Sequence, residues 1–218
     1  MPRKKLIRSD VHPYHVTARG DNREAFPVDL ALAWQIFSLE CLVLTQVYEA
    51  QIQSFVLMPN HCHMILTTPS FDLGEVMNAF ISSVTRTLNF VSGRTGHVFG
   101  GPYFWSIIEN SRYYGHALKY VYRNPVKAGL CQKVEDYPFS TLNGLLGRSH
   151  LPFPVFSPRL PLDISLPTAE PGEQLPWLNT PFPSEAEAVI QRGLRRRNFS
   201  VIMDRRTRAP HALLAQLI

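Results

Sequence analysis

Apolar residues along this chain switch repeatedly between a spacing of two and a spacing of three to four, so strands and helices alternate. "VHPYHVTARG", Val11 to Gly20, predicts a first strand ended by Gly20, and the polar "DNREAF" after it reads as a loop. From Val28 to Tyr48 the residues Leu32, Ile36, Leu39, Val43 and Val47 recur at helical intervals and predict a long first helix. "AQIQSFVLM" and "HCHMILTT" read as two strands joined at Pro59-Asn60, a hairpin. Asp72 followed by Glu75 is a capping-box pattern that opens a second helix running to about Ser92. "GHVFGGPYFWSIIEN" is punctuated by glycine and then strand-like. Ser111 can cap a third helix, expected to stop near Asn124 because Pro125 follows. This order predicts an α+β fold, an antiparallel sheet with helices packed on one face.

The pattern changes beyond Tyr137. "YPFSTLNGLLG" closes the core, so residues 1–149 are expected to form the main domain. Residues 150–183 are proline-rich and aperiodic, a linker or strap, and 184–218 form a basic C-terminal extension. The spacing of Ser184 and Glu187 suggests a capping box at the start of a short helix leading into a strand. Arg192, Arg195, Arg196, Arg197, Arg205, Arg206 and Arg208 make this the densest basic cluster, either a solvated face or a phosphate-binding appendage.

Composition narrows the functional classes. With 218 residues, 45% of them hydrophobic, the chain can bury one substantial core. No apolar run approaches the ~20 residues that cross a bilayer, and "MPRKKLIRSD" has no secretory apolar stretch, so a cytoplasmic protein without a membrane partner is expected. Cys41, Cys62 and Cys131 lack C-x-x-C spacing and read as reduced core residues. A net charge of +5 favours a polyanionic partner without deciding one.

Chemistry concentrates in two places. In "FVLMPNHCHMILTT" the strand alternation sends His61, His63, Ile65 and Thr67 to one face and Cys62, Met64 and Leu66 to the other. Both imidazoles can then share a metal ion, although paired strand histidines also serve as plain hydrogen-bonded sheet residues. In "YYGHALKYVYRNPVKAG" a helix sets Tyr120 and Asn124 four apart on one face, with His116 a turn earlier and Lys127 beyond the end. Tyr114, Leu118 and Val121 fall on a more apolar side. An amide oxygen beside two imidazoles suits Mg²⁺ or Mn²⁺. Spacing alone does not single out Tyr120 among the tyrosines.

The segments "YHVTARGDNRE", "MPNHCHMIL", and "YVYRNPVKAG" followed by "YPFST" resemble the single-tyrosine transposases of the HUH nuclease superfamily, most closely the REP-associated branch, over Val11 to Gly147. The resemblance implies a ferredoxin-like fold. It implies His61 and His63 as the histidine pair, Tyr120 as nucleophile and Asn124 as third metal ligand, with Mg²⁺ or Mn²⁺ as cofactor. It also implies cleavage and rejoining of single-stranded DNA beside hairpins through a 5′-phosphotyrosine link, by a monomer or homodimer. Candidate DNA contacts are Arg19, Arg23, Arg86, Lys119, Arg123, Lys127, Arg195, Arg196 and Arg197. Phe104 and Trp105 are either base-stacking or core rings. The alternative is a hairpin-binding protein that never cuts.

Overall fold

The computed structural model describes residues 6–158 and 170–199. Its elements run β1 (Tyr14–Arg19), α1 (Leu30–Val47), β2 (Gln51–Met58), β3 (His61–Thr67), α2 (Leu73–Ser92), β4 (Phe104–Ile107), α3 (Ser111–Lys127), α4 (Thr141–Leu145), α5 (Leu175–Asn179) and α6 (Ser184–Gly193). The four strands lie in the order β2-β3-β1-β4 and every neighbouring pair is antiparallel. The first six elements therefore form the expected α+β, ferredoxin-like unit, and α3 is added to it.

Strand alternation splits the sheet into two surfaces. Tyr14, Val16 and Ala18 of β1 join Cys62, Met64 and Leu66 of β3 in a core covered by α1 and α2. At its centre Phe37 packs its ring 5.1 Å from Phe26 and 5.8 Å from Phe80. The capping box at the start of α2 forms as expected, with Asp72 Oδ1 accepting from Gly74 N at 2.7 Å and Glu75 reaching back to the Asp72 amide. Asp72→Ala is expected to cost about 1 kcal/mol of stability, read as a lower urea midpoint with an unchanged slope.

The opposite surface is not left open. Val56, Met58 and Ile65 form a second core with Tyr114, Ala117, Leu118 and Val121 of α3, and α5 and α6 pack into the same cluster. The expected one-sided helix layer thus holds for α1 and α2 and is corrected for α3. Residues 114–122 of α3 are all buried, so this helix has the sheet on one side and an outer cover on the other.

Five local expectations also change. Of the residues whose spacing announces α1, Ile36 is buried but Leu39, Val43 and Val47 are exposed, and the core is met instead by Ala33, Phe37, Cys41 and Leu44 beside Ile36. A helix apolar all round gives a period without choosing a face. By length and composition, 18 residues with mean hydropathy 1.5, α1 is also long and apolar enough to cross a membrane, contrary to the sequence expectation; here it packs on α2 and the sheet. Helix α3 runs through Pro125 to Lys127, because a proline near the end forfeits one amide while its fixed φ still suits the helix, and Leu130 N closes back on Pro125 O at 3.0 Å. It is Asn110, just before Ser111, whose Oδ1 accepts from Tyr113 N at 3.4 Å. Ser184 does not cap α6 either: Pro183 holds the cap position and makes no side-chain bond there.

The "YPFST" motif closes the free edge of β2. Leu57 N donates to Phe139 O at 3.0 Å, and Phe55 N donates to Thr141 Oγ1 at 2.9 Å. Tyr137 OH donates to Leu57 O at 2.7 Å, so three residues of the motif satisfy groups that an edge strand exposes. Phe156 N continues the cover by donating to Ile52 O at 2.8 Å. Arg205, Arg206 and Arg208 lie outside the described residues.

Candidate active site

The histidine pair begins β3 directly after the two-residue turn, and the loop following β1 folds over that turn. Gly20 N donates to Asn60 O at 2.7 Å, Phe26 N to Pro59 O at 2.8 Å, and Asn60 Nδ2 to Arg23 O at 2.6 Å. Gly20 is required here, since a Cβ would lie 2.8 Å from Glu24 O and 3.2 Å from Asn60 O. With its Nδ2 so engaged, Asn60 turns Oδ1 toward His61 Nδ1, 2.6 Å away. An oxygen acceptor there assigns the proton of His61 to Nδ1 and leaves Nε2 with its lone pair.

His63 is held in the same way by β1. The register pairs His63 with Thr17 and His61 with Arg19, so all four side chains share one face. Thr17 Oγ1 and His15 Nε2 each lie 3.0 Å from His63 Nδ1. His63 Nδ1 is thereby occupied and its Nε2 is the nitrogen left for a ligand. His15, 4% exposed and stacked 5.2 Å from His63, is a site residue that sequence reasoning did not single out. Its signal was present: His15, Thr17 and Arg19 alternate on β1, and only the antiparallel pairing with β3 reveals that they meet the histidine pair.

Helix α3 delivers the phenol to this cluster. Tyr114, Ala117 and Val121 anchor it on the sheet, and the Tyr120 ring sits edge-on, 5.8 Å from His63 and 6.2 Å from His15. Of the other helix tyrosines, Tyr114 and Tyr122 are core residues, and Tyr122 OH shares a 3.0 Å hydrogen bond with Thr141 Oγ1. His116 is buried and packs edge-on against Phe182, so it does not face solvent. Asn124, one turn beyond Tyr120, donates its Nδ2 to Tyr120 O at 2.8 Å, which leaves Oδ1 as an acceptor.

By ligand type those donors would suit a divalent cation. Two imidazoles with Nδ1 engaged and Nε2 open, plus a neutral amide oxygen, form a mixed N/O set. Among the described residues no three His, Cys, Asp or Glu side chains are grouped to hold a metal, so any such ion depends on a ligand outside those types, which the Asn124 amide is.

Burial governs protonation. It pulls His15 down to about 3, and it pulls His61 down to about 4 with help from the Arg19 guanidinium. His63 is driven well below the ordinary range by burial first, then by His15, His61 and Arg19. All three rings are neutral at pH 7, the form that binds metals. Burial raises the Tyr120 phenol; a hydrogen bond with Gln191 and the charges of Arg195 and Arg19 pull against it, while Glu187 adds to the rise. Histidines with folded values of about 3 and 4 take up protons on unfolding once the pH drops below ~6.5. The stability they contribute is full above ~6.5, declines as pH falls, and stops declining near the folded values. The urea midpoint is therefore expected to fall between pH 7 and 4.5, less steeply in His15→Gln; equal slopes would remove His15 from the cause.

The candidate DNA contacts separate into groups. Arg19 and Arg23 are exposed on the loop side of the histidines. Arg195, Arg196 and Arg197 are exposed just past α6. Arg86 is exposed on α2, across the sheet from the histidines, and drops out of a common surface with them. Lys119 is corrected outright: at 2% exposure it lies 5.0 Å from the Trp177 ring centroid and 4.9 Å from that of Phe182. Arg123 donates to Leu178 O at 3.0 Å and Asn179 O at 2.6 Å, and Lys127 pairs with Glu187 at 3.2 Å. These three cations hold the C-terminal segment. Trp105 packs edge-on against Tyr14, whereas Phe104 is 66% exposed on the histidine side of β4.

Comparison with known proteins supports the motif resemblance. The chain is 31% identical over 103 residues to the REP-associated tyrosine transposase of Escherichia coli K12, a stretch covering 47% of this chain and 60% of that relative. This chain is similar to the REP-associated tyrosine transposases. A solved structure of such a transposase bound to a REP hairpin shares the fold, with TM-score 0.59 and 22% identity over 72% of this chain and 96% of the other. The matched stretch thus spans less than two thirds of the curated relative's length. No profile of a known protein family matches the chain.

Proposed function

We propose that this chain is a single-strand DNA transposase that cleaves and rejoins strands beside hairpins, with Tyr120 as nucleophile. The observation that carries the reading is the meeting of one phenol with a histidine pair whose Nδ1 atoms are both engaged and whose Nε2 atoms are open. In the reaction the Tyr120 oxygen attacks a backbone phosphorus. The O–P bond forms as the bond to the 3′ oxygen breaks; the phenol proton is given up and the departing oxygen leaves as a 3′-hydroxyl. The strand end stays on the enzyme as a 5′-phosphotyrosine, a phosphodiester exchanged for another, so a second 3′-hydroxyl can reverse the step without a nucleotide cofactor.

His61, His63 and Asn124 would hold Mg²⁺ or Mn²⁺, which supplies Lewis-acid polarisation of phosphate oxygens when bound. The chain's own residues do the rest. Asn60 and Thr17 would orient the imidazoles through Nδ1, and the packing of α3 would hold the phenol beside them. Arg19 and Gln191 act against the burial that keeps the phenol protonated. Hairpin DNA as substrate is supported by the REP hairpin on the structural relative, and by an exposed basic and aromatic set at Arg19, Arg23 and Phe104. Such a protein would work in the cytoplasm, as a monomer or homodimer.

The hairpin-binding reading is favoured by one feature: burial raises the phenol rather than activating it. Labelled hairpin oligonucleotides incubated with Mn²⁺ and run under denaturing conditions discriminate the two. A covalent DNA-protein band that chelation abolishes is expected, and hairpin binding without such a band would leave recognition alone.

A further inference from the structure

The C-terminal segment lies outside the region of motif resemblance, yet it is built into the surroundings of Tyr120. Val189, Ile190 and Leu194 share a core cluster with that ring. Just past α6 the chain makes a single parallel bridge to β4, with Ile107 N donating to Arg197 O and Phe199 N to Ile107 O, both at 2.8 Å. Ile107 in turn pairs with Tyr14, the neighbour of His15. Residues 197–199 are thus tied to the sheet that carries the histidines, and Phe199 packs 5.3 Å from Tyr113 on the helix that carries the phenol.

The basic side chains around this junction divide by partner. Lys119, Arg123 and Lys127 are engaged by aromatic rings, carbonyls and a carboxylate. Arg19 and Arg195 are exposed, and neither forms an ion pair with a carboxylate among the described residues. Arg19 lies at the end of β1 opposite His61, and Arg195 follows Leu194, which packs in the same cluster as the Tyr120 ring. Two exposed guanidiniums without a carboxylate partner, carried by elements that border a nucleophile, suit an anion.

We infer that the C-terminal segment completes the active site, with Arg195 and Arg19 holding between them the backbone phosphate that Tyr120 attacks. This rests on the nuclease reading above and adds that residues past α6 contact the reacting group rather than the hairpin stem. Gln191, hydrogen-bonded to the phenol, is the accompanying positioning residue on α6. The packing also explains why Lys119 and Arg123 are spent inside the protein. They clamp the segment that delivers Arg195.

The test uses full-length protein carrying Tyr120→Phe, which binds without cutting, and hairpin oligonucleotides with a single-stranded tail. Adding Arg195→Gln is expected to weaken binding and to flatten the dependence of log affinity on log salt by about 0.7. Arg195→Lys should restore most of that slope, and Arg192→Gln, at an exposed arginine in the last turn of α6, should change nothing. A neutral methylphosphonate is then walked along the tail. At one position the loss caused by Arg195→Gln should vanish, and that position should be the phosphate cut by the wild-type protein. An unchanged slope, an equal loss in Arg192→Gln, or coupling at a phosphate other than the one cut would overturn the inference. Should wild-type protein cut nothing, the nuclease reading falls, and coupling at any single phosphate decides separately whether Arg195 binds one.

Discussion

Tyr120→Phe is expected to leave hairpin affinity within about twofold while abolishing every covalent DNA-protein product. The ring makes its packing contacts with His63 and His15 through carbon edges that phenylalanine keeps, and the side chain is only 7% exposed, so the fold loses one hydroxyl and its bond to Gln191. A neutral hydrogen bond of that kind contributes about 1 kcal/mol, too little to unfold the protein. The chemistry, by contrast, loses its nucleophile altogether. Tyr122, two residues on, cannot substitute, because its hydroxyl is buried against Thr141. A variant that still forms adduct would move the nucleophile elsewhere.

The second large effect is expected at His63. His63→Gln should lower strand cleavage by about 100-fold or more at any Mn²⁺ concentration, since even the partners that orient a metal-binding histidine are worth 10–100-fold. Affinity for an uncut hairpin should hardly change, because His63 is 4% exposed and faces the phenol rather than the outer surface. His15→Gln should act in the same direction but more weakly, through the 3.0 Å contact that helps fix the His63 ring. If His63→Gln cuts normally, the histidines are sheet residues and the account of the site fails. The ordering of the two effects is itself informative, as a merely structural loss would lower stability and activity together.

Much of this was legible in the sequence because it is local. Strand alternation in "HCHMIL" correctly separated His61 and His63 from Cys62 and Met64, and the helical spacing placed Asn124 one turn from Tyr120. The capping box at Asp72 needed only a four-residue pattern. What stayed hidden depends on partners distant in the chain. His15 joins the site through the register of β1 on β3, a pairing no window of residues contains. Lys119 reads as a surface cation until Trp177 and Phe182, more than fifty residues later, close over it. In α1 the periodicity was real and the face ambiguous, because Leu39, Val43 and Val47 are as apolar as the residues that fill the core.

The C-terminal segment shows the same limit from the other side. A proline-rich stretch and an arginine cluster suggest a separable appendage, yet Arg123, Lys127 and Phe199 tie residues 175–199 to α3 and β4. Residues 114–122 of α3 are buried on both sides of the helix, and no window around them names the distant segment that covers them.

The most direct measurement is to identify the residue that carries DNA. Wild-type protein would be incubated with a hairpin oligonucleotide and Mn²⁺, the adduct digested with protease and nuclease, and the peptides mapped by mass. A nucleotide joined through its 5′ phosphate to the Tyr120 peptide is the predicted result; a nucleotide on another residue, or cleavage with no adduct at all, would contradict it.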